Sequence, residues 1–382
     1  MRSAIGRSFV VSALVALSFL IGCKSKKQHV PAVAPEPVRI RLVAVGDVMM
    51  HQDVQRSAQG AGSFDALWGD VSPLLVGADI AFGNLETPVA PDTGVHGRPF
   101  VFNAPRELPD ALKRSGFQVL ATANNHGYDQ GPKGVTETLA HLEASGLVSV
   151  GSGPDQAQAE APKILVRRGI RIAFLGCTDI FNANLNREGK GPWIAELGDR
   201  TLAAVRAARL QADVVIVSVH WGAEYQHQPS ARQREMAQKL FESGADLILG
   251  HHPHVLQPLE RSSCNGRSVA VAFSMGNFIS NQDRMYQAVQ PVKEGDSRDG
   301  MALTATFTLQ VSPDGSRRAV MEKVGYVPLW TVNNWSDVQT GRARVRSIRV
   351  LPTERLQVED PLRNLRMDRV QSIVGHLREP LG

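Results

Sequence analysis

Residues 247–258 read LILGHHPHVLQP, an apolar run that stops at Gly250 and then spends three of the next four positions on histidine. Leu247, Ile248 and Leu249 supply a buried strand, but His251, His252 and His254 gain nothing from packing that a leucine or valine would not give. A solvated polar loop explains any one of them alone. Together they fit a metal site better, because neutral imidazole ligates zinc, iron and manganese, and His252 and His254 can converge on one point from a tight turn. The choice depends on what ends the other strands.

Outward from that segment, short apolar runs alternate with stretches of helical period, which predicts an α/β fold. RIRLVAVGD (39–47), ADIAFGNLE (78–86), QVLATANNH (118–126), DVVIVSVHWG (213–222) and DLILGHHPH (246–254) read as strands. KILVRRGIRIAFLGC (163–177) reads as a hairpin. Helices are expected over FDALWGDVSPLLVGA (64–78), PRELPDALKRSGF (105–117), GPKGVTETLAHLEASG (131–146), TLAAVRAARLQA (201–212) and SARQREMAQKLFESGA (230–245). The character then turns to β in SVAVAFSMGN (268–277), MALTATFTLQV (301–311), RRAVMEKVGYVPL (317–329) and RARVRSIRVL (342–351), with SPDG (312–315) as a turn and a closing helix over 360–377. The rhythm predicts two βα halves sharing one core, with the late strands extending the second sheet.

The start of the chain has a different character. Arg2 and Arg7 precede the apolar stretch FVVSALVALSFLIG and then Cys23, the layout of an export signal and too short for a permanent membrane helix. Leu20, Ile21, Gly22 and Cys23 resemble the lipobox of bacterial lipoproteins, in which the cysteine becomes the first mature residue and carries lipid. Residues 1–22 are then a signal peptide and 23–37, rich in Lys, Ala and Pro, a disordered tether. Residues 38–382 are expected to form a single domain, exported and held at the membrane in the periplasm or at the cell surface. Only Cys177 and Cys264 remain, which excludes a disulfide framework. The net charge of +5 is modest for 382 residues and no basic stripe suggests nucleic acid; Arg342, Arg344, Arg346 and Arg349 alternate as one solvated face.

In α/β sheets, ligands and catalytic groups gather beyond the carboxyl ends of strands. Here those ends deliver Asp47, then Asn84 and Glu86, then Asn125 and His126, then His220, then the histidines after Gly250, and last Asn277. Asn, Asp and Gly are ordinary turn residues. His126, His220, His252 and His254 are not, so a metal site is the better explanation. Asp47 and Glu86 supply negative charge and Asn125 a neutral oxygen. A mixed nitrogen and oxygen set without thiolate favours Mn, Fe, Zn or Mg. More than four donors suggests two ions about 3.5–4 Å apart, a pair that clamps a phosphoryl or acyl oxygen and lowers the pKa of bound water. The implied chemistry is hydrolysis.

GDVMMH, GNLETPV, ANNHGYDQG, VHWGAEY, LGHHPHVLQP and FSMGNF, in this order, resemble the CapA family of capsule and poly-γ-glutamate synthesis proteins from about Arg39 to Pro352. That family is similar to the calcineurin-like metallophosphoesterases, and the resemblance implies their four-layer α/β/β/α sandwich. It also places Asp47, Glu86, Asn125, His220, His252 and His254 on metal-ligand positions and His126 on the histidine that protonates a leaving group. Two positions depart from the phosphoesterase pattern. Met49 stands where Asp-x-His has its histidine, with His51 two residues further on, and Gly83-Asn84 replaces Gly-Asp; His51, Asn84 and Asn277 are therefore additional candidates.

Two functions follow as expectations. The first is a lipid-anchored, metal-dependent hydrolase or transferase acting on an anionic cell-envelope polymer or its precursor. The second is a non-catalytic component that grips such a polymer and assists a membrane synthase complex. His96 and Arg98 in VHGRPF read as a surface loop, Trp221 and Tyr225 as packing, and Cys177 not as a nucleophile.

Overall fold

RIRLVAVGDV, Arg39–Val48, is buried along nearly its whole length, as a strand in the middle of a covered sheet must be. On one side it pairs in parallel with Ile80–Leu85, which leads to Phe117–Ala121 and Val148–Val150. On the other it pairs antiparallel with Asp299–Val311, followed by Arg317–Asn333 and Ile348–Pro352. Asn277–Ile279 adds a short parallel pairing at its carboxyl end. A second sheet of six strands has the order Leu259–Cys264, Arg267–Ala272, Leu247–His251, Val214–His220, Ile170–Thr178, Lys163–Arg167. Its four inner strands are parallel and the two outer ones antiparallel.

This computed structural model describes residues 37–382 apart from 99, 187–188, 190, 283–295, 313–314, 358–360 and 382. The signal segment, Cys23 and the linker lie outside the described residues.

Period-two patterning divides each strand between two cores. Leu42, Ala44, Ile80 and Phe82 face Ile172, Phe174, Ile216 and Leu249 across the space between the sheets, where the Phe82 and Phe174 rings stack at 6.1 Å. The alternate residues Val43, Val45 and Ala81 pack against helices Glu107–Arg114 and Gly131–Ala144 through Leu108, Leu112 and Leu142. On the far side of the second sheet, Val215, Val217 and Ile248 pack against Asp199–Arg209 and Ala231–Ser243 through Val205, Ala208, Met236 and Leu240. Helices, sheet, sheet, helices: the chain is a four-layer α/β/β/α sandwich. Pro37–Gly382 forms one compact unit.

Several sequence expectations are corrected. The late strands do not extend the second sheet as a group; Asp299–Val311, Arg317–Asn333 and Ile348–Pro352 join the first. Without them Arg39–Val48 would be an edge with a row of unpaired N–H and C=O groups, and Asp299–Val311 covers that row from Arg39 to Val45. SVAVAFSMGN is divided, with Arg267–Ala272 in the second sheet and Asn277–Ile279 against the first, so it bridges the sheets. FDALWGDVSPLLVGA is not one helix: Asp65–Trp68 is a 3-10 turn, and after Gly69 a separate helix, Ser72–Val76, starts with a proline in its first turn. RARVRSIRVL forms a strand only from Ile348 to Pro352. Arg346 leaves the solvated face to sit over the Trp335 ring at 4.4 Å, with Asp53 at 3.6 Å. An unanticipated helix, Gln52–Ala61, follows the first strand and closes on Gly62 at φ 87.

Candidate metal centre

Arg39–Val48 of the first sheet and Leu247–His251 of the second end against one another because glycines allow it. A Cβ on Gly46 would lie 1.8 Å from the Gly276 carbonyl oxygen, and one on Gly250 2.0 Å from that of Phe273. The bridging segment 273–277 therefore crosses both strand ends at backbone contact, and only glycine fits at either crossing. Immediately beyond each glycine the chain delivers Asp47 and His251. Asp47 pairs in register with Asn84 and Asn277, and His251 with His220. The HHPH turn holds His252 at φ 97 and His254 at φ 58, left-handed values that cost a histidine on the order of 1–2 kcal/mol each. Tyr225 braces the turn by donating its backbone N–H to the Pro253 carbonyl at 2.8 Å.

The result is a buried knot of acids and imidazoles. His251 Nδ1 lies 3.0 Å from Asp47 Oδ1, and His254 Nδ1 3.2 Å from Asp47 Oδ2. Glu86 Oε1 stands 3.5 Å from His220 Nε2 and 3.7 Å from His254 Nε2. Asn84 donates from Nδ2 to Asp47 at 2.9 Å and to Glu86 at 3.3 Å, bridging the two carboxyl groups. Asn125 Oδ1 is 2.9 Å from His220 Nε2, and Asn277 Oδ1 is 3.1 Å from His254 Nδ1. The donors of Asp47, Glu86 and His220 lie within 4.8 Å of one another, as do those of Glu86, His252 and His254. Glu86 belongs to both sets.

Burial sets the protonation states. It raises the Glu86 carboxyl well above its ordinary range, and the Asp47 charge adds to the rise. Burial acts upward on Asp47 too, but the hydrogen bonds from His251 and His254 outweigh it and hold that carboxyl well below the usual value. His220 is pushed well down by burial and His252 to about 4, so both imidazoles stay neutral, which is the ligating form. Several polar atoms here are buried without a hydrogen-bond partner among the described residues: Glu86 Oε1, Asn84 Oδ1, His252 Nδ1 and His251 Nε2. Each costs about 1–3 kcal/mol in a protein interior, and a cation would satisfy a carboxylate oxygen and a neutral imidazole nitrogen together. The donor set fits a divalent ion bound through nitrogen and oxygen.

Beside the knot, His126 is 7% exposed and His252 5%, against 0–1% for Asp47, Glu86, His220 and His254. His126 Nδ1 lies 2.8 Å from Asp129 Oδ2, which also accepts the Phe102 N–H. Asn182 links the two halves of the motif: its Oδ1 accepts from Asn125 at 3.2 Å, and its Nδ2 lies 3.4 Å from His126 Nδ1. The Phe102 ring packs 4.4 Å from His126.

Asp47, Glu86, Asn125, His220, His252 and His254 are thus brought together, with Asn84 and Asn277 among them and His126 at the rim. His51 joins neither candidate ligand set. It caps the Gln52–Ala61 helix, takes the Asn281 N–H on Nδ1 at 3.2 Å and meets the Phe102 ring edge-on. Met49 is buried in the core. Trp221 packs on Phe273 and donates to its carbonyl at 2.9 Å, whereas Tyr225 is exposed with its ring 6.3 Å from His254. Cys177 and Cys264 are free and buried, and burial pushes the Cys177 thiol up to about 12. Two residues at the site escaped the sequence reading, and His251, singled out there with its neighbours, had no role assigned to it. Asp129 had only its place three residues after His126 as a signal. Nothing in the sequence connects Asn182 to His126.

Residues 41–282 match the family described as Bacterial capsule synthesis protein PGA_cap. The PGA biosynthesis protein CapA of Bacillus subtilis (strain 168) is 35% identical over 251 residues, which are 62% of this chain and 62% of that protein, less than two thirds of its length. The capsule biosynthesis protein CapA of Bacillus anthracis is 32% identical over 292 residues, 72% of this chain and 69% of that protein. Among solved structures, a 5'-nucleotidase from Candida albicans SC5314 is similar at 10% identity and a TM-score of 0.40, over 87% of this chain and 58% of that one. The chain belongs to the PGA_cap family of bacterial capsule synthesis proteins.

Proposed function

We propose that this protein is a metal-dependent hydrolase or transferase that acts on an anionic envelope polymer of the poly-γ-glutamate type, or on its precursor. One observation carries the reading. Two three-donor sets share the buried carboxylate of Glu86, whose Oε1 has no hydrogen-bond partner among the described residues. Asp47, Glu86, Asn125, His220, His252 and His254 would hold the metal, as two ions of Mn, Fe, Zn or Mg. Bound there, such ions polarise a phosphoryl or acyl oxygen and lower the pKa of water.

The chain's own groups supply the rest. Asp129 accepts from His126 Nδ1 and thereby fixes the ring, leaving Nε2 as the atom that faces the departing oxygen or nitrogen. Asn182 accepts from Asn125 and lies beside His126. The burial of His220, Glu86 and His254 keeps bulk water away from these groups. The family and its CapA relatives support the polymer as substrate, and the lipobox-like LIGC supports export and anchoring through Cys23.

A second reading is favoured by Met49 and Asn84, which replace two ligands of the phosphoesterase pattern: the fold would then grip the polymer for a membrane synthase without chemistry. His126→Ala separates the two in a polymer-producing cell. Catalysis requires that polymer output fall by at least about 100-fold with the protein present at its normal level. Unchanged output would leave only the binding role.

A further inference from the structure

The end of the unit opposite the histidines is basic. Arg39–Val48 enters at Arg39 and reaches Asp47 roughly 26 Å away, at about 3.3 Å per residue. Ile170–Thr178 runs the same way, from the Arg168–Gly169 turn to Thr178 beside His220. Ion pairs join the entering ends of the two sheets into one surface. Arg168 meets Asp79 at 2.8 Å, Arg171 meets Asp213 at 2.8 Å with Arg317 3.6 Å from the same carboxylate, and Arg39 meets Glu322 at 2.8 Å. Arg317 also donates to the Gly169 carbonyl, while Arg167 and Arg318 donate to the carbonyls of Val166 and Gly266. Bases outnumber the carboxylates that they meet. Exposed valines lie among them: Val38 at 39%, Val166 at 56% and Val311 at 62%.

We propose that this end docks on an anionic lipid surface. The occupant is argued from three features. Arginines in excess complement lipid phosphate; solvent-exposed valines beside them gain from an interface and not from a hydrated polyanion; and the chain enters the unit at this end, at Pro37, directly after the segment that begins at Cys23. The inference rests on the anchored reading of Cys23 and adds an orientation to it. With the basic end on the bilayer, the metal centre faces away from the lipid, where a growing polymer is accessible.

Residues 37–382 are mixed with vesicles of phosphatidylcholine alone or with phosphatidylglycerol, at low and high salt, and the bound fraction is measured by sedimentation. Binding to the anionic vesicles only, weakened by salt, is expected. Arg167→Ala with Arg318→Ala should weaken it about thirtyfold, and Val166→Ser with Val311→Ser should weaken it too, with melting temperature and metal content unchanged. Absence of binding, equal binding to neutral vesicles or an unaffected arginine variant would overturn the proposal. So would soluble poly-γ-glutamate that binds in place of the vesicles and loses affinity in the arginine variant. Vesicle binding does not involve His126, so His126→Ala tests the chemistry separately, and the mass of the amino-terminal peptide tests lipid on Cys23.

Discussion

His251 reaches the candidate metal centre through Asp47, its Nδ1 3.0 Å from a carboxylate oxygen that also accepts from the Asn84 amide. Partners that orient a ligand are typically worth 10–100-fold in metal affinity. His251→Gln is therefore expected to weaken binding by that factor while leaving the donor sets of Glu86 intact, and a metal titration of the purified variant would read it; wild-type affinity would remove His251 from the account. Asp299 offers a test away from the site. Burial raises its carboxyl to about 6, only partly offset by the Arg369 guanidinium that donates to Oδ2 at 2.6 Å. Since the folded value exceeds the unfolded one, its contribution to stability is fully present below about pH 4 and is lost as pH rises through 6. Relative to Asp299→Asn, the wild type should lose on the order of 3 kcal/mol between pH 4 and 7, measured by urea unfolding. Parallel pH profiles would contradict this. The legibility of residues followed the same logic. His220, His252 and His254 stand out because no packing or turn rule asks for them, whereas Asp129 and Asn182 look like ordinary loop residues until the fold brings them to His126.

Among the elements, the strand ends are what the sequence conveys best, since an apolar run closed by Gly-Asp or Gly-His-His marks both the strand and its functional tip. The reason for the glycines was not legible, because it lies in the 273–277 segment that crosses them. Gly250→Ala would drive a Cβ to 2.0 Å from the Phe273 carbonyl oxygen and force Leu247–His251 away from Arg267–Ala272. A loss of at least about 3 kcal/mol is expected, together with weakened metal binding because His251, His252 and His254 follow directly. A variant of wild-type stability in thermal and urea unfolding would show that the crossing is less tight than described. The helices were readable where their period ran unbroken, as from Ala231 to Ser243, whose start is held by reciprocal Ser230 and Gln233 bonds. FDALWGDVSPLLVGA misled because its apolar residues keep helical spacing across Gly69 and Pro73, which break the backbone.

For the molecule as a whole, α/β class and the convergence of strand ends follow from local patterns, but the assignment of late strands to a sheet does not. MALTATFTLQV alternates equally well for either sheet, and the choice is made by the open edge of Arg39–Val48, a non-local fact. The sandwich then has a direction: carboxyl strand ends gather acids and imidazoles at one end, and entering strand ends gather arginines at the other. Its central claim is that the first end binds divalent metal. The direct measurement is the metal content of residues 37–382 after purification and incubation with Mn, Fe or Zn, beside the same chain carrying Glu86→Ala. The account expects one to two ions per wild-type chain, within the count that a carboxylate-bridged pair allows, and a marked loss in the variant. A wild-type chain that stays metal-free, or a variant that retains as much metal as wild type, would contradict it.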